Sequence, residues 1–336
     1  MEHYLDNAAT TKPCAEAAAA VMSCISAHYG NPSSLHRKGL EAQHEVEYAR
    51  NQIAGALGCK AQEIVFTSGA TESSNLAIRG AVAAYGRKRK KIVASAVEHA
   101  SVKATLSYLE TLGFTVVTVP PAADGEYHVE DFLREIDSSV CLVSMMLVNN
   151  ENGCRLPVEN VFRMVKRNDP EIITHCDAVQ GFLKIPFKPR TLCADLVSVS
   201  GHKVHALKGV GALYIRHGVR VKPILCGSEQ ERGLRPGTES VPLIASFGAA
   251  TEKLSLNIEE RLERVSQLRS SLIAKLREMD GVIIRDIEGA SPYVLNISLL
   301  GYRSEIVLHY LEQREVYVSS GSACSKGASS GGLELF

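Results

Sequence analysis

The chain has 336 residues, 45% of them apolar and 22% charged, an ordinary globular composition with length for one large domain or two and for a core that needs no covalent staple. Lysine plus arginine and aspartate plus glutamate number 37 each, so the net charge is zero, which excludes a nucleic-acid binder that draws its affinity from bulk positive charge. The longest apolar run, Val140 to Val148, falls well short of the roughly twenty residues of a membrane span, and Met1-Glu2-His3-Tyr4-Leu5-Asp6 has no leader pattern; the nine cysteines contain no C-x-x-C pair, so they read as reduced, cytoplasmic thiols and neither a disulfide framework nor a zinc site.

In chain order, Leu40, Val46, Ala49, Ile53 and Leu57 recur at near-helical spacing before Gly58 and predict a helix over Leu40–Leu57. Short β-branched runs predict strands at Glu63–Ser68, Ile92–Ala96, Val140–Val148, Ile172–Cys176, Asp195–Val199 and Gly211–Ile215. A charge-rich helical pattern covers about 240–279, followed by strands at Val282–Ile287 and Val294–Leu299, a helix at Glu305–Arg314 and a strand at Val316–Ser319. Strands that alternate with helices predict an α/β fold with a mainly parallel sheet flanked by helices, then a smaller α+β domain.

Ligands of such sheets bind outside the carboxyl ends of the strands. The first strand is followed by Gly69-Ala70-Thr71-Glu72-Ser73, which reads equally as a phosphate site at a helix N-terminus or as an ordinary N-cap through Thr71 or Ser73. The next strands deliver Glu98-His99, then Asn149-Asn150-Glu151-Asn152, Asp177-Ala178-Val179-Gln180 and Ser200-Gly201-His202-Lys203. Taken singly, these are a satisfied histidine, turn residues and a surface lysine. Jointly they place an acid, an amide, an imidazole, a lysine and a phosphate loop at one sheet edge. Pyridoxal 5'-phosphate asks for that set: a lysine for the Schiff base, an acid on the pyridine nitrogen and a phosphate cup.

The motifs Phe66-Thr67-Ser68-Gly69-Ala70-Thr71-Glu72-Ser73, Val148-Asn149-Asn150-Glu151 and Ser198-Val199-Ser200-Gly201-His202-Lys203 resemble the signatures of cysteine desulfurases, pyridoxal-phosphate enzymes of the class-V aminotransferase family. Tyr4 to Thr11, Gly30-Asn31-Pro32-Ser33-Ser34, Arg235-Pro236-Gly237-Thr238-Glu239 and Ser319-Ser320-Gly321-Ser322-Ala323-Cys324-Ser325 are similar as well; the Cys loop resembles that of the iron–sulfur-assembly branch. The resemblance implies a fold-type-I large domain over 15–245 and a small domain from 1–14 and 246–336. It implies Lys203 as the Schiff-base lysine, Asp177 on the pyridinium nitrogen, and His99 stacked on the ring with acid/base duty. Gln180 and Asn150 would reach the ring oxygen and substrate; Ala70, Thr71, Ser200 and His202 would hold the phosphate, and Thr238 that of a neighbouring subunit in a homodimer. Cys324 would take sulfur from L-cysteine as a persulfide and pass it to an acceptor such as an iron–sulfur scaffold, releasing alanine.

After Lys326 the stretch Gly327 to Phe336 has neither composition nor length for the helix, the strand with its carboxylate-binding arginine and the last helix that the family carries there. The expectation is a small domain short of its C-terminal part, with weakened amino-acid binding, exposed apolar surface and an unpaired sheet edge. Two other readings stay open at this point: a lyase for selenocysteine or another β-substituted amino acid, and an inactive chain that only dimerises.

Overall fold

The computed structural model describes residues 1–123 and 125–321. A short strand β1 (His3–Tyr4) leads into helices α1 (Ala15–Ser26) and α2 (Arg37–Leu57). Then follow β2 (Ile64–Thr67), α3 (Ala70–Tyr85), β3 (Lys91–Ser95), α4 (Ala100–Thr111), β4 (Thr115–Val119), α5 (Val129–Arg134), β5 (Val140–Met146), α6 (Val158–Asn168), β6 (Ile173–Asp177), β7 (Leu196–Ser200) and β8 (Gly211–Ile215). Helices α7 (Val241–Ser255) and α8 (Ile258–Arg277) precede β9 (Val282–Arg285), β10 (Asn296–Leu299), α9 (Ser304–Glu312) and β11 (Val316–Tyr317).

Seven strands form the central sheet in the order β2-β8-β7-β6-β5-β3-β4. All its pairs are parallel except those that β8 makes with β2 and β7, so β2 runs the same way as the parallel strands. Every residue of β5 is buried, as expected of a strand covered by helices on both faces. In α6 the buried Val158, Val161, Phe162 and Val165 make one stripe at helical spacing. Helices α2 and α7 cross closely because Gly248 has no side chain: a Cβ there would lie 2.6 Å from the Ala49 Cα. The chain steps from β4, at the sheet edge, back across β3 to β5, and that reversal opens a crevice at the carboxyl ends of β3 and β5.

Element bounds differ from the sequence expectations in instructive ways. Helix α2 starts three residues earlier than the apolar spacing indicates, because the His36 side chain accepts the Gly39 amide and caps a polar first turn. The helical stretch over 240–279 is two helices that meet at Leu256 and Asn257. Strand β4 is half-exposed at the sheet edge. The C-terminal elements pair differently: β1 lies parallel to β11, and β9 is antiparallel to β10. Ile283, Ile297, Leu300, Tyr302, Ile306 and Tyr310 are exposed there. Among the described residues no helix is long and apolar enough to cross a membrane.

Candidate active site

Strand β2 ends at Thr67, and the chain turns through Gly69 into α3. Gly69 has φ 152° and ψ 178°, a conformation that side chains essentially forbid. The helix therefore begins at Ala70, with no side-chain cap; neither Thr71 nor Ser73 caps it. Ser73 instead bonds the Thr67 hydroxyl at 2.7 Å, and Glu72 folds back to accept the Ser68 amide at 2.7 Å while pairing with Arg235 at 2.9 Å. A Cβ on Gly69 would meet nothing within 4 Å, whereas one on Gly211, the first residue of β8, would lie 2.7 Å from Gly69. Glycine at 211 thus lets the turn lie against the start of β8, and the open side at Gly69 leaves the first-turn amides of Ala70 and Thr71 accessible to an anion.

Strand β7 ends at Ser200, whose hydroxyl is buried and has no hydrogen-bond partner. A tight helical turn, Gly201–Lys203, follows. Across it runs the N-terminal segment. Lys203 Nζ donates to the Ala8 and Ala9 carbonyls at 2.5 and 2.7 Å. The Thr11 amide and hydroxyl donate to the His202 carbonyl at 2.9 and 3.0 Å, and His202 Nδ1 lies 3.1 Å from the Thr10 hydroxyl. Burial, aided by the Lys203 charge, holds His202 down at about 4, so it is a neutral imidazole at physiological pH.

Strand β6 ends at Asp177, a buried carboxyl whose Oδ1 accepts the Val179 amide at 3.0 Å. Burial pushes its pKa up, opposed by that hydrogen bond and by the charges of His99 and Lys203. Gln180, three residues on, donates through Nε2 to the Ala8 carbonyl at 2.9 Å and accepts Lys184 Nζ through Oε1 at 2.8 Å. At the end of β5, Asn149 is a turn residue whose Oδ1 accepts the Glu151 and Asn152 amides at 2.9 and 3.1 Å. That turn leaves Asn150 half-buried at the crevice.

At the end of β3, His99 caps α4: its Nδ1 accepts the Ser101 amide at 3.2 Å. Its neighbour Glu98 is fully buried. One carboxyl oxygen takes the Ser95 hydroxyl at 2.5 Å and the Met146 amide at 2.6 Å, and the other has no partner. Burial is the main reason that its pKa is pushed up to about 8, with Asp177 adding to the rise. The folded chain keeps this proton where the unfolded chain, with a carboxyl near 4.3, has lost it. Stability from this group is therefore complete below about pH 4.3 and falls by about 1.4 kcal/mol per unit towards pH 8, beyond which the loss is constant. Urea unfolding of Glu98→Gln between pH 5 and 9 is expected to lack that slope; a slope equal to the unsubstituted chain's would mean that Glu98 is ionised throughout.

The structure thus joins Asp177, Gln180, His202 and Lys203 through the N-terminal segment and shared charge, with His99 alongside and Ala70, Thr71 and Ser200 at the same sheet edge. It does not join Thr238, which is exposed on the loop after residue 229. Cys324 lies outside the described residues. The sequence reading missed the roles of the Ala8 and Ala9 carbonyls, of Glu98 and of Lys184; the quoted Tyr4–Thr11 motif was the one available signal for the first. The residues present fit pyridoxal phosphate. The unpartnered Ser200 hydroxyl and uncapped α3 suit its phosphate, the buried Asp177 lacks a full counter-ion that a protonated ring nitrogen supplies, and Lys203, three residues after Ser200, is near enough for its charge to act on Asp177.

The sequence matches the aminotransferase class-V family over residues 3–331. It is 40% identical over 329 residues to a protein of Trichormus azollae named cysteine desulfurase, covering 97% of this chain and 81% of that one. A solved structure titled NifS-like protein superposes with a TM-score of 0.92 at 37% identity, covering 95% of this chain and 88% of the other. Another, titled SspA in complex with cysteine, gives 0.83 at 31% identity, covering 96% and 90%.

Proposed function

The chain belongs to the class-V aminotransferase family, and from that premise we propose that it is a pyridoxal-phosphate-dependent cysteine desulfurase. The observation that carries the reading is the convergence of Lys203, Asp177 and Gln180 with the uncapped α3 and the unpartnered Ser200 hydroxyl. When bound, the cofactor supplies an electron sink for charge that develops on the substrate's α-carbon. The α3 amides of Ala70 and Thr71, the Ser200 hydroxyl and neutral His202 would hold its phosphate. Asp177 would keep a proton on the ring nitrogen, Gln180 would donate to the ring oxygen, and His99 would cover the ring face. Asn150, just beyond β5, would contact ring and substrate. The Lys203 amine takes the proton from the substrate α-carbon and returns it. Cys324 accepts the substrate sulfur on its Sγ as a persulfide, and alanine leaves.

The same reading makes the enzyme a cytoplasmic homodimer that hands sulfur to an acceptor such as an iron–sulfur scaffold. Exposed Met22, Ile25, Tyr29 and Leu35 around α1 support a second copy covering this face, and Thr238, exposed on its loop, is free to reach a neighbouring subunit. Light scattering is expected to return twice the mass of one chain, and a monomer at micromolar concentration would remove Thr238 from the phosphate site.

The activity is tested by loading the protein with pyridoxal phosphate and measuring alanine formed from L-cysteine. Alanine equal to the sulfide released under a thiol reductant is expected. Cys324→Ser is expected to keep the cofactor's visible band and lose persulfide. A folded, loaded protein that gives no alanine overturns the desulfurase reading, and a preference for selenocysteine or another β-substituted amino acid would make it a related lyase.

A further inference from the structure

Lys184 is a buried lysine that the reaction as described does not use. Its Nζ donates to Gln180 Oε1 at 2.8 Å, and burial, with the Lys203 charge adding, holds its amine down at about 7. Its placement is built: the preceding Leu183 has φ 57°, a left-handed conformation that costs a non-glycine side chain. Two braces hold that turn. Arg261 of α8 donates to the Leu183 carbonyl at 3.2 Å, and Phe182 meets Phe247 of α7 edge-on at 6.1 Å. The outcome is a lysine turned back on its own loop, four residues from the glutamine that it touches.

The two ends of the Gln180 amide are chemically distinct. The Ala8 carbonyl can only accept, so it takes the Nε2 end at 2.9 Å, and Lys184 takes the oxygen. We propose that Lys184 is a positioning residue that locks the Gln180 amide with its NH2 group towards the cofactor side, so that this position offers a donor and never an acceptor to the ring oxygen of pyridoxal phosphate. Without Lys184 the amide oxygen would be left buried without a donor, and rotation of the side chain to find one would withdraw the NH2 group. The inference rests on the cofactor reading above and deepens it.

A double-mutant cycle on the full-length chain tests it, with the dissociation constant of pyridoxal phosphate and the position of its visible band as readouts. Lys184→Met is expected to weaken binding by about three- to tenfold, the range of one hydrogen bond, and to shift the band. In a Gln180→Ala background the same substitution is expected to change neither. Equal weakening in both backgrounds, or none in either, overturns the proposal. Thermal unfolding of the cofactor-free variants checks that each one folds; should Lys184→Met not fold, the cycle is read with Lys184→Gln, where additivity with Gln180→Ala is again the overturning result. If the unsubstituted chain itself fails to bind pyridoxal phosphate, the cofactor reading is what falls.

Discussion

Lys203→Ala is expected to remove the visible band that develops when the protein is mixed with pyridoxal phosphate, and to lower alanine formation from L-cysteine by about 10²- to 10⁴-fold, the range for a positioned acid–base group. The phosphate contacts proposed for Ala70, Thr71 and Ser200 would not depend on this side chain, so the variant is expected to bind the cofactor still, without the covalent chromophore. A structural consequence accompanies the chemical one. Lys203 holds the Ala8 and Ala9 carbonyls at 2.5 and 2.7 Å, and the same N-terminal segment continues back to β1, which pairs with β11, and to Asp6, which accepts the Ser319 hydroxyl at 2.7 Å. Amide hydrogen exchange over residues 3–11 is therefore expected to quicken in Lys203→Ala. Unchanged exchange would mean that the Gln180, His202 and His205 contacts fix the segment without Lys203, and a normal visible band would move the covalent role to another amine.

The order of the strand ends was legible because each polar residue follows its apolar run directly: Asp177 after Ile173–Cys176, His202 and Lys203 after Leu196–Ser200, His99 just beyond Lys91–Ser95. A parallel sheet turns that sequence order into spatial convergence. What stayed hidden depends on contacts between distant positions. Nothing local marks the Ala8 carbonyl as the acceptor of groups 172 and 195 residues away. Lys184 sits among apolar residues, where the left-handed turn at Leu183 reverses its direction, and no spacing rule anticipates a left-handed leucine. Glu98 stands beside His99 with no local mark of its own, and its burial between β3 and β5 is what pushes its carboxyl up to about 8. Of the two readings the sequence leaves open at the α3 start, the Thr71 or Ser73 cap falls, because Gly69's conformation, not a hydroxyl, sets where that helix begins.

The largest stability effect is expected at a pair away from the cofactor site, Arg50 of α2 and Glu231. Both are buried. The guanidinium grips the carboxylate with two bonds of 2.7 and 2.9 Å, donates to the Ile64 carbonyl at 3.0 Å and lies 4.8 Å over the Phe66 ring. Glu231 also accepts the Phe66 amide at 3.0 Å. This pair anchors Glu231, Arg232 and Gly233, at φ 48°, 58° and 74°, three successive left-handed residues of which two carry side chains, strain on the order of 1–3 kcal/mol each. The anchored turn sets out the loop bearing Arg235, which pairs with Glu72 in the first turn of α3, and Thr238. Glu231→Gln takes the bidentate counter-ion from Arg50 and leaves it only the exposed Glu47, 3.3 Å from Nε, and is expected to cost about 3 kcal/mol; Arg50→Met strands the carboxylate and is expected to cost about 3–5 kcal/mol. The double variant Arg50→Met with Glu231→Gln carries no buried charge. The carboxamide oxygen it places at position 231 can still accept the Phe66 amide, and the Ile64 carbonyl keeps the Arg232 donor at 2.9 Å. It is therefore expected to be more stable than either single variant in urea unfolding of the cofactor-free protein. Simple additivity of the two losses would mean that the hydrogen bonds, and not the pairing of buried charge, hold the loop in its strained shape.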